Sequence, residues 1–367
     1  MIKILICGDF RAMNASKVSA DDRFQELLSN SDYVVCNFEA PISSNGIAIK
    51  KSGPALDQDI NSPEILKRLG FNVFLMANNH IMDYGVEGCK KTLDAFDDCV
   101  CVGAGKGNDA FKVKIVEKEG KRIGFLSFVQ HEFGVIEAPS EDSFGAAWIN
   151  SYYTEDIIKE AKENVDFLLV LPHAGVEHTE APLPEWRHCY KKLIDWGADI
   201  VIASHPHCPQ GRELYKGKYI YYSLGNLYFD GLSGYKMWDR SLAVSITIDD
   251  LTTKIDTQQI VFNIDGMISI DESVEQKDYI AYLNKLLVDA ELYNNYIKSL
   301  CQENFKGIKF GLLRGLCGFS WHIRSYYAMR LLFLMIIKNR DEMYLLNSYQ
   351  NESHRWLIER YLRNNNK

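Results

Sequence analysis

No cysteine framework is written into this chain. Its nine cysteines (Cys7, Cys36, Cys89, Cys99, Cys101, Cys189, Cys208, Cys301 and Cys317) form no Cys-x-x-Cys pair, and several sit inside apolar runs. An odd, scattered set excludes a disulfide-built scaffold and predicts reduced, structural thiols in a cytoplasmic setting. No apolar run approaches the ~20 residues that a bilayer crossing needs. No signal-peptide pattern is expected either, because Ile2–Cys7 already reads as a strand. A phosphate-cradling loop is also missing. Gly103-Ala104-Gly105-Lys106-Gly107 has the glycines but lacks the Gly-Lys-Ser/Thr ending, so these residues read as a turn. Internal repeats and low-complexity tracts are absent, which excludes solenoids and linker-like segments.

What is present is globular. The chain of 367 residues, 47% apolar and 25% charged, suits one large domain with an extension, or two domains. The net charge of −8 is unevenly spread: residues 301–367 carry 11 Lys/Arg against 5 Asp/Glu, and the rest carries −14. An acidic body argues against nucleic acid as a partner, while the basic tail suits an anionic surface.

Short apolar strands alternate with amphipathic helices. Ile2–Cys7, Asp32–Asn37, Asn72–Ala77, Asp166–Leu171, Ala198–Ala203 and Tyr219–Ser223 read as strands. Ala20–Leu28, Tyr84–Phe96, Asp156–Asn164 and Trp186–Trp196 read as helices. Another helix starts at Ser62-Pro63-Glu64, with Ser62 as N-cap, and stops at Gly70. Phe111–Glu117 with Arg122–Val129, and Ser241–Ile248 with Lys254–Ile264, read as antiparallel pairs. This alternation predicts a layered α/β fold. After about residue 272 only helical spacing recurs, so residues 1–272 are expected to form the α/β domain and 273–367 a helical, basic extension.

Polar residues gather where the strands end: Asp9, Glu39, Asn79 with His80, His173, and His205 with His207. Loops at the carboxyl ends of strands in an open α/β sheet converge on one crevice. Carboxylates, a carboxamide and imidazoles brought together there make a divalent-metal site. The mixed N/O set suits Mn, Zn or Fe(II) better than Ca or Mg, and is large enough for one ion or two. Singly, each residue has a blander reading, as a turn cap, a surface ion pair or a buried histidine.

Five segments occur in order: Asn37-Phe38-Glu39-Ala40-Pro41, Ala77-Asn78-Asn79-His80-Ile81-Met82-Asp83-Tyr84-Gly85, His173-Ala174-Gly175-Val176-Glu177, Ser204-His205-Pro206-His207-Cys208-Pro209-Gln210 and Tyr222-Ser223-Leu224-Gly225-Asn226. They resemble the CapA family of bacterial capsule and poly-gamma-glutamate synthesis proteins, itself similar to calcineurin-like metallophosphoesterases. The resemblance covers about residues 1–232. It implies a four-layer α/β/β/α sandwich with a metal centre between loops, and a hydrolase-like role in making capsule, poly-gamma-glutamate or exopolysaccharide. In that chemistry a metal-activated water attacks a phosphoryl or acyl centre. The resemblance makes Glu39 the bridging carboxylate. It gives Asp9 and His207 to one ion, and Asn79, His173 and His205 to the other. It makes His80 the general acid, with Asp83 placed to orient it. The substrate is expected to be an anionic polymer, a phosphoester or a peptide.

Two positions depart from the metallophosphoesterase pattern. Arg11 stands where a histidine usually follows the first aspartate, and Glu39 replaces an aspartate. The first ion is therefore short of a ligand, and Arg11 becomes a candidate to hold a substrate anion. The departure leaves open a non-catalytic alternative, a polymer-binding or accessory module of a synthase complex. Glu177 and Gln210 are candidates to orient ligands, Ser223 and Asn226 to shape the loop wall, and His131 to reach the crevice rim. His178, His188, His322 and His354 lie outside any motif. In the tail, Leu331–Ile337 is too short to span a membrane. With Trp321, Tyr326, Tyr327, Phe333, Arg324, Arg330, Lys338 and Arg340 around it, it suits a helical cap, or a helix docking on a membrane-associated partner.

Overall fold

Ile2–Arg11 is the central strand, and its alternation builds two faces at once. Ile2, Ile4 and Ile6 point into a core shared between two sheets. Leu5 and Cys7 point the other way, onto helices. This is the period-2 alternation of a strand buried on both faces. The computed structural model describes residues 1–317 and 342–365, apart from 43–45, 231–234, 236, 250–251 and 263–264.

The first sheet has nine strands. In spatial order eight of them are Ser19–Ala20, Met267–Ile270, Thr253–Phe262, Arg240–Ile248, Ile2–Arg11, Tyr33–Phe38, Val73–Leu75 and Val100–Val102. The ninth, Asn226–Phe229, pairs in parallel with the end of Ile2–Arg11, setting Asp9 beside Asn226. The second sheet runs Arg212–Tyr215, Lys218–Tyr221, Ile200–Ile202, Phe167–His173, Lys121–Val129 and Lys114–Lys118. Its middle strands are parallel, so His173 and the residues after Ile202 leave the sheet at the same end. Phe125, Leu169, Leu171 and Ile202 meet the isoleucines of the first sheet across the shared core. Outside the first sheet lie helices Asp22–Ser29, Ser62–Leu69 and Gly85–Asp94, contributing Phe24, Leu66 and Cys89. Outside the second lie Thr154–Glu163 and Pro184–Trp196, contributing Ile158, Trp186 and Tyr190. The result is the four-layer α/β/β/α sandwich.

Strands end at Ile270, and helices Val274–Val288, Ala290–Cys317, Glu342–Gln350 and Glu352–Asn365 follow. Leu286, Tyr293, Ile297 and Leu357 join the core of the second sheet. No helix among the described residues is long and apolar enough to cross a membrane. The aromatic and basic residues between 321 and 340 fall outside the described residues.

Two local readings change. Ala104–Lys106 is a short strand, not a turn, and pairs with Phe144–Ala147. Gly103 makes this possible: a Cβ there would meet Ala77 Cβ at 2.6 Å, so only glycine lets the chain pass. Ser62 does not cap its helix. Asn61 takes that place without a side-chain bond, and Ser62 is already helical.

The tightest approach lies beside Asp9. A Cβ on Gly8 would lie 1.8 Å from the carbonyl oxygen of Gly225, and that oxygen accepts the Asp9 N–H at 3.0 Å. Gly8→Ala must push two backbones apart. It is expected to cost about 3 kcal/mol or more in urea unfolding, at the upper end of overpacking effects. Wild-type stability in that variant would show that the two strands are not held this close.

Candidate metal centre

The strand ends of both sheets open into one cleft of about 410 Å³, lined by Asn79, His80, His205, His207 and Glu177 among others. At its floor Asp9, Glu39 and His173 are buried, with ligand atoms within 4.8 Å of one another.

Asp9 accepts a hydrogen bond from Asn37 Nδ2 at 2.7 Å and from the His205 backbone N–H at 3.1 Å. Burial pushes its carboxyl up. Hydrogen bonding to and charge on His173, then His207 and Asn37, outweigh that and hold it below the usual carboxylate range. Glu39 is the opposite case. Both its oxygens are buried, and neither has a hydrogen-bond partner among the described residues. Desolvation, then the charge of Asp9, raises its pKa well above normal. Oε1 lies 3.5 Å from His207 Nε2 and 3.8 Å from His173 Nε2, so it faces both halves of the cluster.

His173 Nε2 also lies 3.0 Å from Asn79 Oδ1 and 3.1 Å from His205 Nδ1. Two imidazole nitrogens, a carboxamide oxygen and a carboxylate oxygen thus converge with too few protons to satisfy them. A divalent cation satisfies all of them, and these donors fit Mn, Zn or Fe. On the other side, Asn226 gives both amide protons to the carbonyls of His207 and Trp238. Its Oδ1 must therefore accept from His207 Nδ1, at 3.0 Å. That bond fixes the tautomer and leaves His207 Nε2 with a lone pair aimed at Glu39. The loop carrying these histidines is strained, with φ of 101° at His205 and 58° at His207.

His80 lines the cleft, with Nδ1 2.6 Å from Asp83 Oδ2. Burial lowers its pKa to about 4 against the pull of Asp83. Lys51 forms a buried ion pair with Asp83 and lies 3.2 Å from His80 Nδ1. Arg11 is placed elsewhere. Its guanidinium donates to Asp57 O at 2.9 Å and Asp230 O at 3.4 Å, lies 5.6 Å from the Phe229 ring centre, and does not line the cleft. Gln210 bonds Thr179 O at 2.7 Å and supports a loop. His131 turns to Glu137 at 2.9 Å. Ser223 Oγ donates to Cys208 O and accepts from Gly225 N–H, shaping the loop wall.

Sequence reasoning passed over Asn37, Lys51 and the part played by Gln130 and Glu132. Asn37 had a signal: it stands two residues before Glu39 at the same strand end. Lys51 had none, since it comes from an irregular loop. Glu132 is buried at the cleft, and desolvation raises its pKa to about 7.

Two stacked sheets flanked by helices, with carboxylates, a carboxamide and imidazoles at their strand ends, make up a metallophosphoesterase-like fold. Within it, the chain belongs to the family described as bacterial capsule synthesis protein PGA_cap, whose family model matches residues 7–231. It is 35% identical over 239 residues to the PGA biosynthesis protein CapA of Bacillus subtilis (strain 168), covering 62% of this chain and 61% of that protein. It is 34% identical over 216 residues to the capsule biosynthesis protein CapA of Bacillus anthracis, covering 55% and 52%. The matches therefore span little more than half the length of these relatives. Among solved structures, the 5'-nucleotidase of Candida albicans SC5314 aligns at 13% identity with a TM-score of 0.44, covering 84% of this chain and 59% of that one.

Because Asn226 sets the His207 tautomer, Asn226→Ala is expected to weaken Mn²⁺ binding about 10- to 100-fold in calorimetric titration. Unchanged affinity would remove His207 from the ligand set.

Proposed function

We propose that the chain is a metal-dependent hydrolase that acts on a phosphoryl or acyl centre during synthesis of capsule or poly-gamma-glutamate. The buried carboxylate of Glu39, without a hydrogen-bond donor among the described residues, carries this reading, because it sits where a shared ligand of two ions would sit. Asp9, Glu39 and His207 would hold one ion; Asn79, His173, His205 and Glu39 would hold the other. A bound divalent ion, Mn, Zn or Fe, supplies Lewis acidity and lowers the pKa of a water to near neutrality.

The protein's own groups do the rest. Asp83 accepts from His80 Nδ1, so Nε2 is the atom left to protonate the departing oxygen or nitrogen. Burial disfavours the protonated ring, and negative charge arriving with the substrate favours it. Lys51 is the Lys or Arg side chain that lines the cleft among the described residues. It takes the anion-holding role that the sequence pattern offered to Arg11, whose Nε and Nη1 donate to loop carbonyls and whose Nη2 donates to Met13 Sδ. The substrate is a phosphoester or a gamma-glutamyl peptide of the polymer, and the basic C-terminal residues are the surface for a membrane-associated synthase partner.

The test is a screen of Mn-, Zn- and Fe-loaded protein on bis-p-nitrophenyl phosphate, p-nitrophenyl phosphate and a gamma-glutamyl anilide. Turnover on one of these, lost with chelator and restored by metal, is expected. His80→Ala should keep its metal and lose about 10²- to 10⁴-fold in kcat, the usual share of a general acid. Full activity in that variant removes the acid role. Metal binding without turnover on any substrate favours the accessory-module alternative, and no bound metal removes the centre.

A further inference from the structure

The family match ends at residue 231, yet the last helix, Glu352–Asn365, begins against the metal cleft. Asn351, Glu352 and Ser353 are each no more than 3% exposed. Glu352 is the anchor. One oxygen accepts from Trp148 Nε1 at 2.8 Å and Asn150 Nδ2 at 2.7 Å, and the other from the His131 backbone N–H at 2.8 Å. This ties the helix start to the loop 130–132 that leaves the strand Lys121–Val129.

From that anchor two chains of hydrogen bonds reach ligands. Ser353 Oγ lies 3.1 Å from Gln130 Oε1 and 2.6 Å from Gly175 O, sharing one proton between them, and accepts from Trp186 Nε1 at 2.8 Å. Gln130 Oε1 also accepts from the Gly175 N–H, which leaves its Nε2 turned to Glu132 at 2.7 Å and to His205 Nε2 at 2.9 Å. In the second chain Asn351 Nδ2 donates to Glu132 Oε1 at 3.0 Å, and Asn79 bonds the same carboxylate. An Asn79 amide that donates to Glu132 must turn its Oδ1 toward His173, as observed at 3.0 Å.

We propose that the start of the last helix positions one ligand of the metal centre, Asn351 orienting Asn79 through Glu132. The proposal rests on the metal-centre reading above. Asn351 is thereby a positioning residue: its side chain touches no reacting atom, and it lies outside the stretch that defines the family. The proposal also separates the two ions: the site of Asn79, His173 and His205 has this second layer of support, whereas the Asp9–His207 side lacks a histidine at position 11.

The test is Mn²⁺ titration by calorimetry on full-length wild type, Asn351→Ala, Glu132→Ala and the double variant. Tyr349→Ala, at an exposed position nearby, serves as control. Asn351→Ala and Glu132→Ala should each weaken Mn²⁺ binding about tenfold, the low end for partners of metal ligands. Asn351→Ala should add nothing once Glu132 is gone, because the two act as one unit. Wild-type affinity in Asn351→Ala, or fully additive losses with Glu132→Ala, overturns the proposal. So does a loss accompanied by loss of native helical signal in circular dichroism, which would mark a purely structural role. Failure of the wild type to bind Mn²⁺ defeats the metal-centre reading itself, so the two failures are distinct.

Discussion

A carboxylate without a donor is the constraint on which the site depends. Glu39 follows a buried strand, and its two oxygens face two imidazoles and another carboxylate, with no N–H donor among the described residues. An isolated charge in such a place is costly, and the protein accepts that cost only where a cation offsets it. The surroundings follow from this. Asp9 is kept ionised by Asn37, His173 and a backbone amide, His207 is locked by Asn226, and the histidine loop is held in left-handed backbone that few residues other than glycine adopt. Each feature keeps a lone pair aimed inward.

The layers were legible because burial and period agree. Ile2, Ile4 and Ile6 could only face a second apolar surface, and the runs at Phe167–His173 and Ile200–Ile202 supplied it. The candidate ligands were legible for the same reason: a polar residue directly after a buried parallel strand has nowhere to go but the cleft. Asp9, Glu39, Asn79, His80, His173, His205 and His207 all meet that description, and the structure brings them together.

What the sequence hid were contacts between distant, irregular segments. Lys51 comes from a loop with no periodicity, and its buried ion pair with Asp83 joins residues 32 apart in the chain. Arg11 was misjudged from its position alone. It follows Asp9 by two residues on a strand, but the carbonyls of Asp57 and Asp230 draw its guanidinium away from the cleft. The strand at Ala104–Lys106 was hidden by glycines, which in isolation signal a turn and here mark close passage of backbone. Asn351 carried no local signal at all, since it lies far from the motifs it supports.

The close passage of Gly8 under Gly225 bears on the order in which the molecule is made. Asp9 is made before every other residue of the candidate ligand set, and the carbonyl that accepts its backbone N–H is made after all of them. Contacts of such long sequence separation are slow to close. A product that stops short of Gly225 therefore keeps every candidate ligand but not the backbone contact that seats the first of them.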